Sequence, residues 1–456
     1  QKRKEEKSYR NYCNLYLNKG EDKMKRNFVV LLFLSLFLFI IGCGSNKEEK
    51  KDGKIKLVFY YPVNVGGPVA KLVEQLTKDF NAENPDIEVE AVYTGNYDDT
   101  VTKIQTAAQG GNPPDLFVSL ATQRFTMASS EMAMPLDELI AEDGEEGKKY
   151  ISDFLESFME DSYVNGKIYS IPFQRSTMVL FYNKDAFKEA GLDPEKAPET
   201  WEELVEMAKK VTTDKRKGVG IALNSGSAQW AFTGFALQNS SDGKNLMSED
   251  GKKVFFNTPE NIEALQFWID LQKKDKVMAE GIIQWTDLPA QFLAGEVAMI
   301  YHTTGNLSNI AKNAKFNYGV AFLPGHKRKG APTGGGNFYI SSGISKEKQK
   351  AAWKFIKYLT TAERAAQWSI DTGYVPTRKS AFETEIMKKY YAERPQAKVA
   401  YEQLKFAKPE LTTYNAAEIW RILNDNIQSA ITGEKSAKDA LDNAQKEATE
   451  VLKDFN

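Results

Sequence analysis

The sequence predicts an α/β protein of two lobes with a mostly helical C-terminal region. Three observations support this. A strand, an amphipathic helix and a second strand follow one another directly over residues 55–93, the unit that builds parallel sheets through a right-handed crossover. The chain has 456 residues, whereas single hydrophobic cores stop growing at ~250–300 residues. No Pro/Ser-rich linker divides it, so the chain is expected to cross between lobes more than once. Composition agrees: 42% hydrophobic and 27% charged residues suit a folded globular chain and exclude wholesale disorder, a collagen-like repeat or a multi-span membrane protein. With 60 Lys and Arg against 62 Asp and Glu, the net charge of −2 offers no attraction to nucleic acid.

Residues 55–60 form the first strand, and Pro68 then opens a helix carrying Val69, Leu72, Val73, Leu76 and Phe80 at helical spacing. Asn84 and Pro85 stop it. Ile87, Val89, Ala91 and Tyr93 alternate with Glu88 and Glu90 in a second strand that only Val92 interrupts. A helix over 98–109 leads through a Gly/Pro turn into a short buried strand at 116–120, Asn165-Gly166 marks a turn, and residues 178–182 are an apolar strand. Thr200 with Glu203 makes a capping box, and Thr258-Pro259 starts a helix whose Leu265 and Trp268 face the core. Further strands are expected at 297–301, 318–322 and 338–341, and the chain beyond Lys346 is mostly helical. Ligands in such sheets sit beyond the strand C-terminal ends, which puts Tyr60 and Tyr61 within reach of one.

Ahead of this body, residues 28–41 are apolar except for Ser35 and follow Met24, Lys25 and Arg26. A membrane span takes about 20 such residues, so the shorter run has the character of a secretory signal core. It ends in IIGC at 40–43, which resembles the lipobox of bacterial lipoproteins. Residues 24–42 are therefore expected to be a signal peptide, Cys43 the lipidated first residue, 43–54 a charged tether and 55–456 the folded body. An uncleaved anchor ending in a chance cysteine is the alternative. Residues 1–23, which hold the other cysteine, Cys13, are expected to be an upstream extension from a start placed too early.

The usual chemical motifs are missing. No G-x-G-x-x-G follows a strand, and there is no Walker-type Gly-Lys-Ser/Thr and no G-x-S-x-G elbow. Gly334-Gly335-Gly336 precedes a strand, so it is either a flexible turn or a backbone that approaches a ligand too closely for a Cβ. Two histidines and two cysteines sharply restrict the chemistry: neither a four-ligand structural zinc site nor a disulfide framework is evident, and no metal or cofactor is expected. His326 lies in a basic loop expected to be solvated. His302, at a strand end, lacks an assignable carboxylate partner for a dyad. Asp98 and Asp99 are expected at a helix N-terminus.

Several segments in order, FNAENPD (80–86), YTGNY (93–97), IPFQRST (171–177), FYNKDAFKEAGL (181–192), TWEE (200–203), AKFNYGV (314–320) and TGYVP (372–376), together resemble the extracellular solute-binding proteins of bacterial ABC importers, family 1, and within them the glycerol-3-phosphate binders. The resemblance implies a two-lobed periplasmic-binding-protein type II-like fold with hinge-crossing segments and a ligand in the cleft. It places ligand-binding roles on Tyr97, Ser176, Thr303, Gly336, Tyr374 and Arg421. A ligand-contacting glutamate of those binders falls at Ala121, and a Trp-rich loop shortens to Ala228-Gln229-Trp230. Trp230, after a polar loop, and Arg175, beside Ser176, join the candidates.

These residue types suit a sugar or polyol. Aromatic rings cover the C–H face, hydroxyls and main-chain N–H groups specify hydroxyl positions, and an arginine fork grips phosphate. For Tyr97 and Tyr374 the alternative is core packing; for Arg421, pairing on a helix surface. The expected function is an extracytoplasmic, lipid-anchored monomer that captures a polyol phosphate or a sugar and delivers it to an ABC permease, with no chemistry. A lipid-anchored glycosidase or phosphatase is the competing reading, and a surface adhesin a third.

Overall fold

One mixed nine-stranded sheet carries the fold, in a computed structural model that describes residues 53–224 and 226–455. The expected signal peptide, Cys43 and all but the last two tether residues lie outside them. Among the described residues, no helix is long and apolar enough to cross a membrane. Across the sheet the strands run Ile87–Tyr93, Ile55–Tyr61, Leu116–Leu120, Ala331–Ile340, Ile171–Asn183, Val297–Thr303 and Lys217–Gly220, with Ala407–Lys408 and Tyr318–Ala321 pairing off this path. The first three pair in parallel, as the strand–helix–strand pattern implies, and so do Val297–Thr303 and Lys217–Gly220. Between these parallel groups, Ala331–Ile340 and Ile171–Asn183 are antiparallel to each other and to Leu116–Leu120 and Val297–Thr303 on either side, while Ala407–Lys408 pairs in parallel with Ala331–Ile340.

These two strands explain the lobes. Ile171–Asn183 is apolar at IPF, polar at QRST and apolar again at MVLFY, and every residue of it is buried. Ile171 and Phe173 join one core with Phe59, Phe80, Phe338 and Trp353, while Met178 to Tyr182 join a second with Trp201, Trp268 and Tyr301. Ala331–Ile340 repeats the pattern: Ala331 belongs to the second core, Phe338 and Ile340 to the first, and TGGGN lies between. Each fully buried Leu, Val or Phe is worth about 1.5–3 kcal/mol, so a continuous apolar run would have fused the cores. The polar middles keep them apart.

Buried polar groups need partners. Arg175 Nη2 donates to Asp161 Oδ2 at 2.7 Å, Arg124 Nη1 donates to Asp161 Oδ1 at 2.6 Å, and Arg175 Nη1 reaches Asn337 Oδ1 at 3.2 Å. The network ties both crossing strands to the segment around Asp161.

The strands expected at 178–182 and 338–341 are longer than the apolar pattern indicated, because each continues through its polar middle. The glycine triplet is a bulged strand, with the register shifting between Gly336 and Asn337. Its glycines answer to protein neighbours. Gly335 has φ +95° and a Cβ there would sit 1.9 Å from the Gln174 carbonyl oxygen, while one on Gly334 would meet the Trp230 ring at 2.6 Å. The helices beyond Lys346 form as expected.

Candidate ligand-binding site

The polar middles of the crossing strands open onto a cavity of about 230 Å³, to which they contribute Ser176 and Gly335. On one side helix Tyr97–Gln109 begins at the wall. Asn96 caps it by accepting from Asp99 N at 2.9 Å while the Asp99 carboxylate accepts from Asn96 N at 3.1 Å. That cap points Tyr97 and Asp98 into the cavity. The Tyr97 hydroxyl donates to Gln174 Oε1 at 3.0 Å. Tyr374 arrives from helix Ala362–Thr372, which Gly373 ends at φ +95°. Its ring lies parallel to Trp368, with centroids 6.1 Å apart. Burial pushes both phenols well above their ordinary value.

The opposite wall is tryptophan. Helix Ala228–Asn239 is buried all round and presents Trp230, whose Nε1 donates to the Thr333 carbonyl at 2.9 Å. Trp420, on helix Ala416–Thr432, donates from Nε1 to the Leu411 carbonyl at 2.8 Å. Trp285 stacks on His302 with ring centroids 3.7 Å apart. His302 pairs through Nε2 with the Trp285 carbonyl at 3.2 Å, and burial lowers its pKa to about 3, so the imidazole is neutral and supports the indole. Thr303 follows at the strand end, its Oγ1 accepting from Gly305 N at 3.1 Å. Gln229 and Glu410 complete this side.

The cavity thus brings together Tyr97, Ser176, Trp230, Thr303 and Tyr374, and not Gly336, Arg175 or Arg421. Gly336 stands just behind the wall, where a Cβ would lie 2.8 Å from Val118 and 2.9 Å from the Tyr97 hydroxyl. Arg175 has no exposed surface and is committed to Asp161. Arg421 is one residue from Trp420, about 100° around the helix, and its guanidinium pairs in solvent with Glu418 at 2.7 Å and Asp425 at 2.8 Å. This is the helix-surface pairing that the sequence left open. Tyr61 is fully buried in the first core and, like Tyr60, does not line the cavity. Asp98 and Asp99 both lie in the first turn of their helix as expected, where Asp99 closes the capping box and Asp98 also faces the cavity. His326 is not freely solvated: it stacks on Trp201 at 4.7 Å and pairs with Glu202 at 3.2 Å.

Sequence reasoning missed Trp285, Trp420, Glu410 and Gln229. Trp420 was within reach: the pattern Ile419, Trp420, Leu423, Ile427 marks the inward face of its helix and leaves Arg421 outside. Glu410 gave no signal in a Pro/Thr-rich loop. Among the described residues no cluster of three or more His, Cys, Asp or Glu could hold a metal.

A two-lobed α/β body, cores joined by crossing strands and an aromatic cleft between them define a type II periplasmic-type solute-binding protein. Comparison with known proteins is specific. Residues 75–396 match the model for the bacterial extracellular solute-binding proteins, and the chain belongs to that family. It is 32% identical over 410 residues, 85% of this chain and 91% of the relative, to the sn-glycerol-3-phosphate-binding periplasmic protein UgpB of Escherichia coli K12. UgpB from Mycobacterium tuberculosis, solved with glycerophosphocholine, superposes with a TM-score of 0.77 at 26% identity, covering 88% of this chain and 99% of that one. Maltose-bound MalE3 of T. maritima gives 0.75 at 25% identity, covering 87% and 100%. These relatives are carriers of transport substrates, not enzymes, and the chain is an ABC-transporter solute-binding protein.

Proposed function

We propose that this chain, anchored outside the cytoplasmic membrane through acylated Cys43, captures an uncharged carbohydrate and presents it as a monomer to an ABC permease. One observation carries the choice of cargo: among the described residues lining the cavity there is no Lys, Arg or His, and the two ionisable side chains besides the tyrosines are the acids Asp98 and Glu410. A phosphate taken from water into such a site meets no countercharge, and burying an unpaired charge is far costlier than burying a hydrogen-bonded hydroxyl. Burial and the neighbouring Asp99 charge hold the Asp98 pKa up, which fits a site that receives no cation from the protein. Three indole rings and the hydroxyls of Ser176, Thr303, Tyr97 and Tyr374 suit a pyranose, whose C–H face stacks while its rim donates and accepts. The relatives named for glycerol-3-phosphate and for maltose leave both chemistries in view, and the lining favours the second.

Titration calorimetry with maltose, maltotriose and sn-glycerol-3-phosphate tests the reading. Saccharide heat with no product and a silent polyol phosphate is expected. Binding of the phosphate alone, or conversion of a bound saccharide, overturns it.

A further inference from the structure

Among the described residues, Glu410 is the one ionisable group that the tryptophan side contributes to the cavity lining, and the reading above gives it no contact with the solute. It follows strand Ala407–Lys408, is 5% exposed and lines the cavity. Among the described residues its carboxylate has a single hydrogen-bond partner, Gln229, whose Nε2 donates to Oε2 at 3.2 Å. No ammonium or guanidinium bonds to it. The charges that reach it from neighbouring segments are Arg175 on one crossing strand and Asp161, which oppose each other. Arg175 donates to Asp161, Asn337 and Thr333 and not to Glu410, and Asp161 also holds Arg124. From the facing wall come Asp98 and the Tyr97 phenol, neither bonded to Glu410. Gln229 is 1% exposed, and with Nε2 turned to Glu410 its Oε1 is left without a partner. Two adjoining side chains of the cavity lining therefore carry acceptor oxygens, and among the described residues the one side-chain donor that reaches them is the Gln229 amide. Native proteins seldom leave such atoms unmet, and in a cavity lining a bound solute is a group that can meet them.

Resting on the carbohydrate reading, we propose that Glu410 and Gln229 form an acceptor pair that recognises two adjoining hydroxyls of the solute, and that capture drives a proton off Glu410 into solvent. No covalent bond changes: the carboxyl O–H gives its proton to water, and solute O–H groups take its place as donors to the carboxylate. Vicinal hydroxyls match the pair because both are donors, whereas a phosphate group brings only acceptors, so a polyol phosphate could use the pair only through its hydroxyl end. The Gln229 amide already favours the ionised form by donating to it. In the protein alone burial holds the Glu410 pKa at about 8, so the proton is present at neutral pH and available for release.

Calorimetry of the protein with maltose, maltotriose, tagatose and ribitol, in buffers of low and high ionisation enthalpy, reads this directly. Release of about one proton per solute at pH 7 is expected, with affinity rising about tenfold per pH unit up to pH ~8 and level above. Glu410→Gln should abolish the release and flatten the profile, and Gln229→Ala should weaken binding about tenfold without removing the release. Saccharide binding without proton exchange and with a flat profile in the unsubstituted protein overturns the acceptor pair and leaves the carbohydrate reading standing. Failure of every saccharide, with or without binding of sn-glycerol-3-phosphate, retires both.

Discussion

The wall built from the first core presents Tyr97, Tyr374 and Asp98, whereas the wall built from the second presents Trp230, Trp285 and Trp420 with Glu410. On the tyrosine side the polar tips are in play: the Tyr97 hydroxyl bonds Gln174 on a crossing strand and lies beside Tyr374. On the tryptophan side the indole N–H groups of Trp230 and Trp420 are spent on main-chain carbonyls, which leaves ring faces for a ligand. A pyranose has a C–H face and a hydroxyl rim, and the division of labour between the walls follows that division in the ligand. Between them runs the strip Gln174 to Thr177, which belongs to neither core.

The largest effect is expected where that strip is broken. Asp161→Ala leaves Arg124 and Arg175, both nearly inaccessible, without their countercharge. Removing one partner of a buried ion pair costs about 3–5 kcal/mol, so urea unfolding should shift by that amount. A loss below about 1 kcal/mol would mean that the two walls are held by their separate cores alone.

Acid should weaken the tryptophan wall selectively. The unfolded imidazole of His302 titrates near 6.5 and the folded one at about 3, so between those values the unfolded chain binds a proton that the folded chain refuses. Stability is therefore lost as pH falls below 6.5, by about 2 kcal/mol at pH 5. In His302→Gln the difference between the urea-unfolding free energies at pH 8 and pH 5 should shrink by that amount. An undiminished difference would assign the acid sensitivity to carboxylates elsewhere.

Ligand contacts should separate the walls next. Trp230→Ala removes a ring face and is expected to weaken saccharide binding by about 2 kcal/mol, roughly thirtyfold. Tyr374→Phe keeps the ring and removes one hydroxyl, for about 1 kcal/mol, roughly fivefold. Equal losses would erase the distinction drawn between ring faces and polar tips.

The two regions also differ in how far the sequence disclosed them. The tyrosine wall was legible through the family resemblance, which put ligand roles on Tyr97 and Tyr374; in the structure the first follows a helix cap and the second a left-handed glycine. The parallel strands and their helix were legible through periodicity. The tryptophan wall was only partly so. Trp230 was found beside its polar loop, but Trp285 and Glu410 sit in irregular segments whose positions depend on long-range contacts such as Trp285 N to Asn224 Oδ1 at 2.8 Å and Gln229 to Glu410. The crossing strands were cut short because their centres are polar yet buried, and a pattern that equates buried with apolar stops at Gln174 and Thr333. Those centres carry the site, so local rules failed where function required them to.

Arg421 sharpens the comparison most at the least expense of structure. An arginine carried over by motif position suggested a phosphate fork, whereas the helix phase gives that inward place to Trp420 and sends Arg421 to solvent between Glu418 and Asp425. Exposed ion pairs of this spacing contribute little. Arg421→Ala should therefore leave both the unfolding midpoint and saccharide affinity within error, while Trp420→Ala weakens the saccharide as Trp230→Ala does. If instead Arg421→Ala abolishes binding of an anionic solute and Trp420→Ala spares it, the helix must rotate or shift on closure. The tryptophan wall would then have to be redrawn as a cationic one.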